Sequence, residues 1–183
     1  MHKATISTGR RITTYMYGRT MLIRMLKKFT KERDLIRPSV TKFAISYLTL
    51  ACLNEHKGAL MTIFSSKESK DSKFSTTRDG KQVENNVLNN GLWKNIVICL
   101  HAVAPLIKVL RLVDSDEKPA TGFIYNGMDC AKQNIKQNFN NVQKSYEPIW
   151  NIIDERREAQ LHMPLHVVAY YANPHFHYSS LKK

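Results

Sequence analysis

The sequence predicts a mainly α-helical fold. Apolar residues recur at spacings of three and four through most of the 183 residues, and strand-like alternation is confined to 165–172. No glycine-rich phosphate loop and no internal repeat interrupts the pattern. The length suits one compact helical region spanning 1–183 with a core of its own.

The central element is 93–113, WKNIVICLHAVAPLIKVLRLV, in which Trp93, Ile96, Val97, Leu100, Val103, Ile107 and Leu110 fall on one broad helical face. It is expected to be the most buried of the long helices. Pro105 lacks an N–H, so a bend or break is expected just before it, with Ala104 and Leu106 still packed. His101 and Cys99, the reactive side chains of this helix, read as packed core residues.

Tyr15, Leu22, Met25, Leu26 and Phe29 form an earlier helical stripe, and Arg24, Lys27, Lys28 and Lys31 form a cationic one nearly opposite. Arg10, Arg11, Arg19, Arg33, Arg37 and Lys42 flank it, offset by Glu32 and Asp34. Two readings stand side by side: a solvated outer face, or a phosphate-binding surface made of Arg10, Arg11, Arg19, Arg24, Lys27, Lys28 and Lys31. No aromatic residue interleaves with the cationic stripe, so base stacking is not indicated.

Pro38 and Ser39 open a helix that buries Val40, Phe43, Ala44, Tyr47, Leu50 and Ala51, and 59–64 reads as a further turn or helix. Residues 65–80, SSKESKDSKFSTTRDG, are polar and are expected to be a mobile connection with at most short helical turns. Val83, Val87 and Leu88 suggest a short helix leading through Asn89-Asn90-Gly91 into the central one. Pro119 starts another helix, with Ile124, Met128, Ala131, Ile135 and Phe139 on one face. Ser145 is placed to cap the last long helix, with Pro148 in its first turn and Tyr146, Ile149, Trp150 and Ile153 buried. Residues 165–172 read equally as a short helix or a strand.

Charge is unevenly distributed. Residues 1–60 carry 12 Lys and Arg against 3 Asp and Glu, whereas the whole chain carries 28 against 15. The excess in the first third points to a polyanionic partner, either nucleic acid or an anionic membrane surface. Cys52, Cys99 and Cys130 form no CxxC pair, which is a reduced, intracellular usage. Lys94, His101, Lys108 and Arg111 interrupt the longest apolar run before the ~18 residues a membrane span needs. A soluble protein is therefore expected. The first 31 residues hold eight Lys or Arg and no acid, a composition shared with organellar transit peptides.

Three long collinear blocks carry a resemblance. These are GRTMLIRMLKKFTKERDLIRPSVTKFAISYLTLACL, LWKNIVICLHAVAPLIKVLRLVDSDEKPATGFIYNGMDCAKQNI and YEPIWNIIDERREAQLHMPLHVVAYYANPHFHY. Together they resemble the middle of plant hAT-superfamily transposase-like proteins. The resemblance implies that the basic helix is an internal block rather than a transit peptide, and that the parent protein is nuclear. It implies a ribonuclease H-like parent with an N-terminal zinc finger, three acidic metal ligands, a helical insertion and a C-terminal dimerisation region. The resemblance further implies that this chain corresponds to the insertion and its flanks, without the zinc finger, catalytic acids and dimerisation region. The implied role is structural and DNA-interacting, without catalysis, cofactor or small-molecule substrate. A stand-alone basic DNA-binding module derived from a transposon is the alternative. Ser69 and Arg157 stand where the family commonly has Trp, which implies looser packing at both places.

A search for chemistry independent of the resemblance finds three clusters. Asp114, Asp116 and Glu117 share one loop, whereas two-metal catalysis needs carboxylates converging from separate elements. Asp154, Glu155 and Glu158 lie beside Arg156 and Arg157 and read as a solvated ion-pair face. His162, His166, His175 and His177 are the densest potential ligand group and carry the remaining alternative, a metal protein. Pro164 breaks their helical spacing and no Cys or carboxylate lies among or after them, so no metal ligand is assigned.

Overall fold

The computed structural model describes residues 2–30, 35, 43–113 and 120–161. Lys31, the Pro38 helix start, the 114–117 acids, Pro119, the 165–172 segment and the four-histidine group lie outside the described residues. Among the described residues there are nine helices and no strand, so the fold is mainly α. They fall into two compact units, 1–100 and 101–183.

The first unit begins with α1, His2–Tyr17, and α2, Thr20–Thr30. The single stripe expected from Tyr15 to Phe29 is thus divided between two helices. The buried line of α2 is Leu22, Met25, Leu26 and Thr30, and Phe29 is 41% exposed. Positions 22, 26 and 30 recur at four, which turns the buried face toward Thr30 and away from Phe29. Thr30 is accommodated because its hydroxyl donates to the Leu26 carbonyl.

Helix α3, Phe43–Glu55, buries Tyr47, Leu50 and Leu53, whereas Ala51 is exposed. It packs on α1 at Gly9, where a Cβ would lie 2.6 Å from Leu50 Cδ2. Helix α4, Lys57–Ser65, packs against α2 and α3 and buries Leu60, Ile63 and Phe64. The polar stretch that follows holds one four-residue helix, α5, Lys67–Lys70, and a run of turns. Its Ser and Thr side chains make the local bonds: Ser66 accepts from the Ser69 N–H, Ser72 donates to the Ser69 carbonyl, and Thr77 donates to the Phe74 carbonyl. Ser69, where looser packing was expected, is buried.

Helix α6, Arg78–Leu88, is capped by Thr77, which accepts from the Gly80 N–H at 3.0 Å. Helix α7, Asn90–Val113, follows at once, with Asn89 accepting from the Gly91 N–H. The buried Trp93 indole donates 2.7 Å to the Val87 carbonyl, which lies in the last turn of α6 and has no partner within its own helix. Trp93, Ile96 and Cys99 are 2%, 0% and 0% exposed and belong to the core of this unit.

The second unit starts within α7. Of the bend or break expected at Pro105, the break is corrected, since α7 continues through it; the burial expected at Leu110 is corrected too, since Leu110 and Leu112 are 44% and 37% exposed. Proline removes the N–H that would have bonded His101, and the Asn138 side chain donates to that carbonyl at 3.0 Å in its place. Pro105 is buried, Ala104 exposed and Leu106 half-buried, so the buried line of α7 runs from Trp93 to Pro105 and is lost beyond it, and α7 is not uniformly the most buried long helix. His101 meets the edge of Phe139 with ring centroids 5.9 Å apart.

Helices α8, Ala120–Asn138, and α9, Gln143–Leu161, form a hairpin closed by Asn140 and Asn141 at φ 53° and 60°, a left-handed turn that asparagine tolerates. Ala131, Ile135 and Ile153 are buried, while Tyr146, Ile149 and Trp150 are only half-buried. Helix α9 begins two residues before Ser145, so Pro148 lies in its second turn rather than its first. Lys132 bonds both oxygens of Asp154 at 2.7 Å and lies over the Trp150 ring, and Arg157 reaches Asp129 at 2.6 Å.

The expectation that no segment suits a membrane span is also corrected. Residues Asn90–Leu112 are long and apolar enough to cross a membrane by length and composition, because the interrupting cations are spaced widely enough for an 18-residue window to hold at most two. In this fold that segment supplies core side chains from Trp93 to Val103 instead.

Candidate nucleic-acid interface

Six of the seven predicted basic residues are described, and they line two open depressions. The first, about 530 Å³, is bounded by Arg10, Arg11, Thr14, Tyr15, Gly18, Arg19 and Asp79. The second, also about 530 Å³, is bounded by Thr20, Ile23, Arg24, Lys27 and Lys28.

The first depression follows from the phase of α1. Gly9, Ile12, Thr13 and Met16 face the core, which leaves the neighbouring Arg10 and Arg11 at its margins, diverging toward different helices. Arg10 donates to Ser46 Oγ of α3 at 2.6 Å. Arg11 pairs with Asp79 in the first turn of α6 at 2.7 Å, with side-chain exposures of 40% and 68%. Arg19 folds back over the end of α1, donating to the Tyr15 carbonyl at 3.0 Å. Its guanidinium lies 3.5 Å from the Tyr15 ring centroid and 5.0 Å from that of Phe74. Arg19 Nε is buried with no hydrogen-bond partner, and no carboxylate pairs with Arg19 among the described residues.

The second depression lies on the outer face of α2, opposite Leu22, Met25 and Leu26. Arg24 is highly exposed and 3.5 Å from Glu68, Lys28 is exposed, and Lys27 is half-buried. The two depressions have different characters. In the first the arginines are held by fixed partners within the fold, whereas in the second Arg24 and Lys28 are exposed.

Sequence reasoning missed Asp79, Glu68, Ser46, Tyr15 and Phe74 as partners of these cations. Tyr15 alone had a local signal, its spacing of four from Arg19, whereas Arg10 and Ser46 are 36 residues apart, Arg11 and Asp79 68 and Arg24 and Glu68 44. Among the described residues no three His, Cys, Asp or Glu side chains converge to hold a metal ion. Comparison with family models, with curated proteins and with solved structures finds no match for this chain.

Proposed function

We propose that this chain is a non-catalytic helical segment of a hAT-type transposase-like protein, acting in the nucleus, whose basic first third contacts the DNA backbone without reading bases. The observation that supports this most directly is the gathering of Arg10, Arg11 and Arg19 in one depression and Arg24, Lys27 and Lys28 in another. Guanidinium and ammonium groups at such surfaces neutralise phosphates and release counterions, which gives affinity with little sequence discrimination. DNA is favoured over a membrane surface because the apolar face of α2 is committed to the core and its opposite face is cationic. Asp154 and Asp129 support the absence of catalysis, since each is engaged by a cation of the α8–α9 hairpin.

Duplex binding measured by gel shift at two salt concentrations tests this. Replacing Lys27 and Lys28 by Ala should weaken binding to unrelated duplexes about equally, and it should lower the salt slope by about one unit for each phosphate no longer neutralised. Helicity should be unchanged, because neither residue is on the buried face of α2. Unchanged affinity in this variant, or Mg²⁺-dependent nicking of DNA that Asp154→Ala abolishes, would overturn the proposal.

A further inference from the structure

The depression on α1 contains more than a surplus of charge. Arg19 is immobilised by stacking on Tyr15 and by its bond to the Tyr15 carbonyl, so it has little side-chain freedom left to lose when it meets an anion. It has no acidic partner among the described residues, and its buried Nε is unsatisfied. Arg10 is anchored to Ser46 at the margin of the same depression. Arg11, the third guanidinium, already holds an anion, the Asp79 carboxylate.

Asp79 is delivered to Arg11 by a close approach of the chain. The N-terminus of α6 meets Tyr15 and Phe74 at Gly80, where a Cβ would lie 2.0 Å from the Phe74 carbonyl oxygen and 2.7 Å from Tyr15 Oη. The residue before it is thereby brought to the rim of the depression. The Arg11–Asp79 pair itself is exposed on both sides, and ion pairs of that kind are weak and readily exchanged.

We propose that this depression seats one phosphate group of the DNA backbone and that Asp79 is its built-in competitor, so that Arg11 gives up Asp79 as the phosphate enters. This rests on the DNA-binding function above and adds its regulation. A phosphate offers the same geometry to a guanidinium fork as the carboxylate it replaces, with a further oxygen for Arg19. Asp79 thus weakens the hold of the depression on any anion by the modest worth of one exposed ion pair.

The test uses the intact chain and a fluorescein-labelled duplex of about 16 base pairs, with anisotropy followed across a salt titration. Asp79→Asn should tighten binding up to about fivefold, the equivalent of about 1 kcal/mol for an exposed pair. Asp71→Asn removes the same charge from another exposed site on this unit and should do less. Arg11→Gln should lower the salt slope by about one unit, and in that background Asp79→Asn should have no further effect. Circular dichroism checks that these exposed substitutions leave the helices intact. Equal tightening by Asp79→Asn and Asp71→Asn, or an unchanged slope in Arg11→Gln, overturns the inference. If the Lys27/Lys28 variant loses slope while Arg11→Gln does not, only the inference falls. If the wild-type chain shows no salt-dependent duplex binding, the DNA-binding function falls with it.

Discussion

Gly80→Ala should destabilise the first unit, although alanine is the better helix former. At 2.0 Å from the Phe74 carbonyl oxygen, the new Cβ is well inside the ordinary contact distance of 3.4 Å, so the carbonyl must retreat by about 1.4 Å (3.4 minus 2.0). That oxygen accepts from Tyr15 Oη at 3.2 Å, Thr77 Oγ1 at 2.7 Å and the Thr77 N–H at 3.3 Å. At a net ~0.5–1.5 kcal/mol for each bond, their disruption costs about 2–4 kcal/mol. The helix-propensity gain of up to ~1 kcal/mol does not offset it. Gly58→Ala in α4 is the matched control, since nothing lies within 4 Å of its Cβ position, and it should stabilise by ~0.5–1 kcal/mol. Urea unfolding, followed by Trp93 fluorescence in a Trp150→Phe background, should show a midpoint lowered by about 1 M for Gly80→Ala and raised slightly for Gly58→Ala. A Gly80→Ala midpoint at or above the parent value would refute the close approach at this position.

Two other perturbations probe the core. Burial pushes the Cys99 thiol up from its ordinary value of 9.0, with a hydrogen bond to Thr5 opposing the shift. The folded state then holds a proton that the unfolded state releases, so stability is full below about pH 9 and falls as pH rises through the raised folded pKa. Cys99→Ala should flatten this alkaline decline in thermal melts between about pH 8 and 10.5, and an unchanged slope would show that the thiol is not its source. Trp93→Phe should cost about 2–3 kcal/mol by circular dichroism, because it leaves the Val87 carbonyl without its indole donor and opens space at a residue 2% exposed. Leu110→Ala, on the same sequence-defined face but 44% exposed, should cost under about 1 kcal/mol, and equal losses would contradict the burial assigned to α7.

What the sequence determined by itself is local. Spacings of three and four mark the helices because a helical turn brings those residues onto one face whatever surrounds them. Trp93 and Ile96 in α7, Ala131 and Ile135 in α8, and the outward cations of α2 were legible for that reason. Helix α1 was not, since Thr, Ser and Gly dilute its apolar pattern and its burial comes from a close fit to α3 at Gly9. Only the tertiary structure decided where an apolar face stops being covered, as between Trp93 and Leu110, or what replaces the hydrogen bond that Pro105 forfeits, which is a side chain 37 residues beyond His101. The candidate site divides in the same way. Charge excess is a property of composition and the stacking of Arg19 on Tyr15 is a contact four residues apart, but the pairing of Arg11 with Asp79 and the approach of Phe74 to Arg19 depend on contacts between distant segments, and periodicity within one helix carries no information about which distant residue will face it.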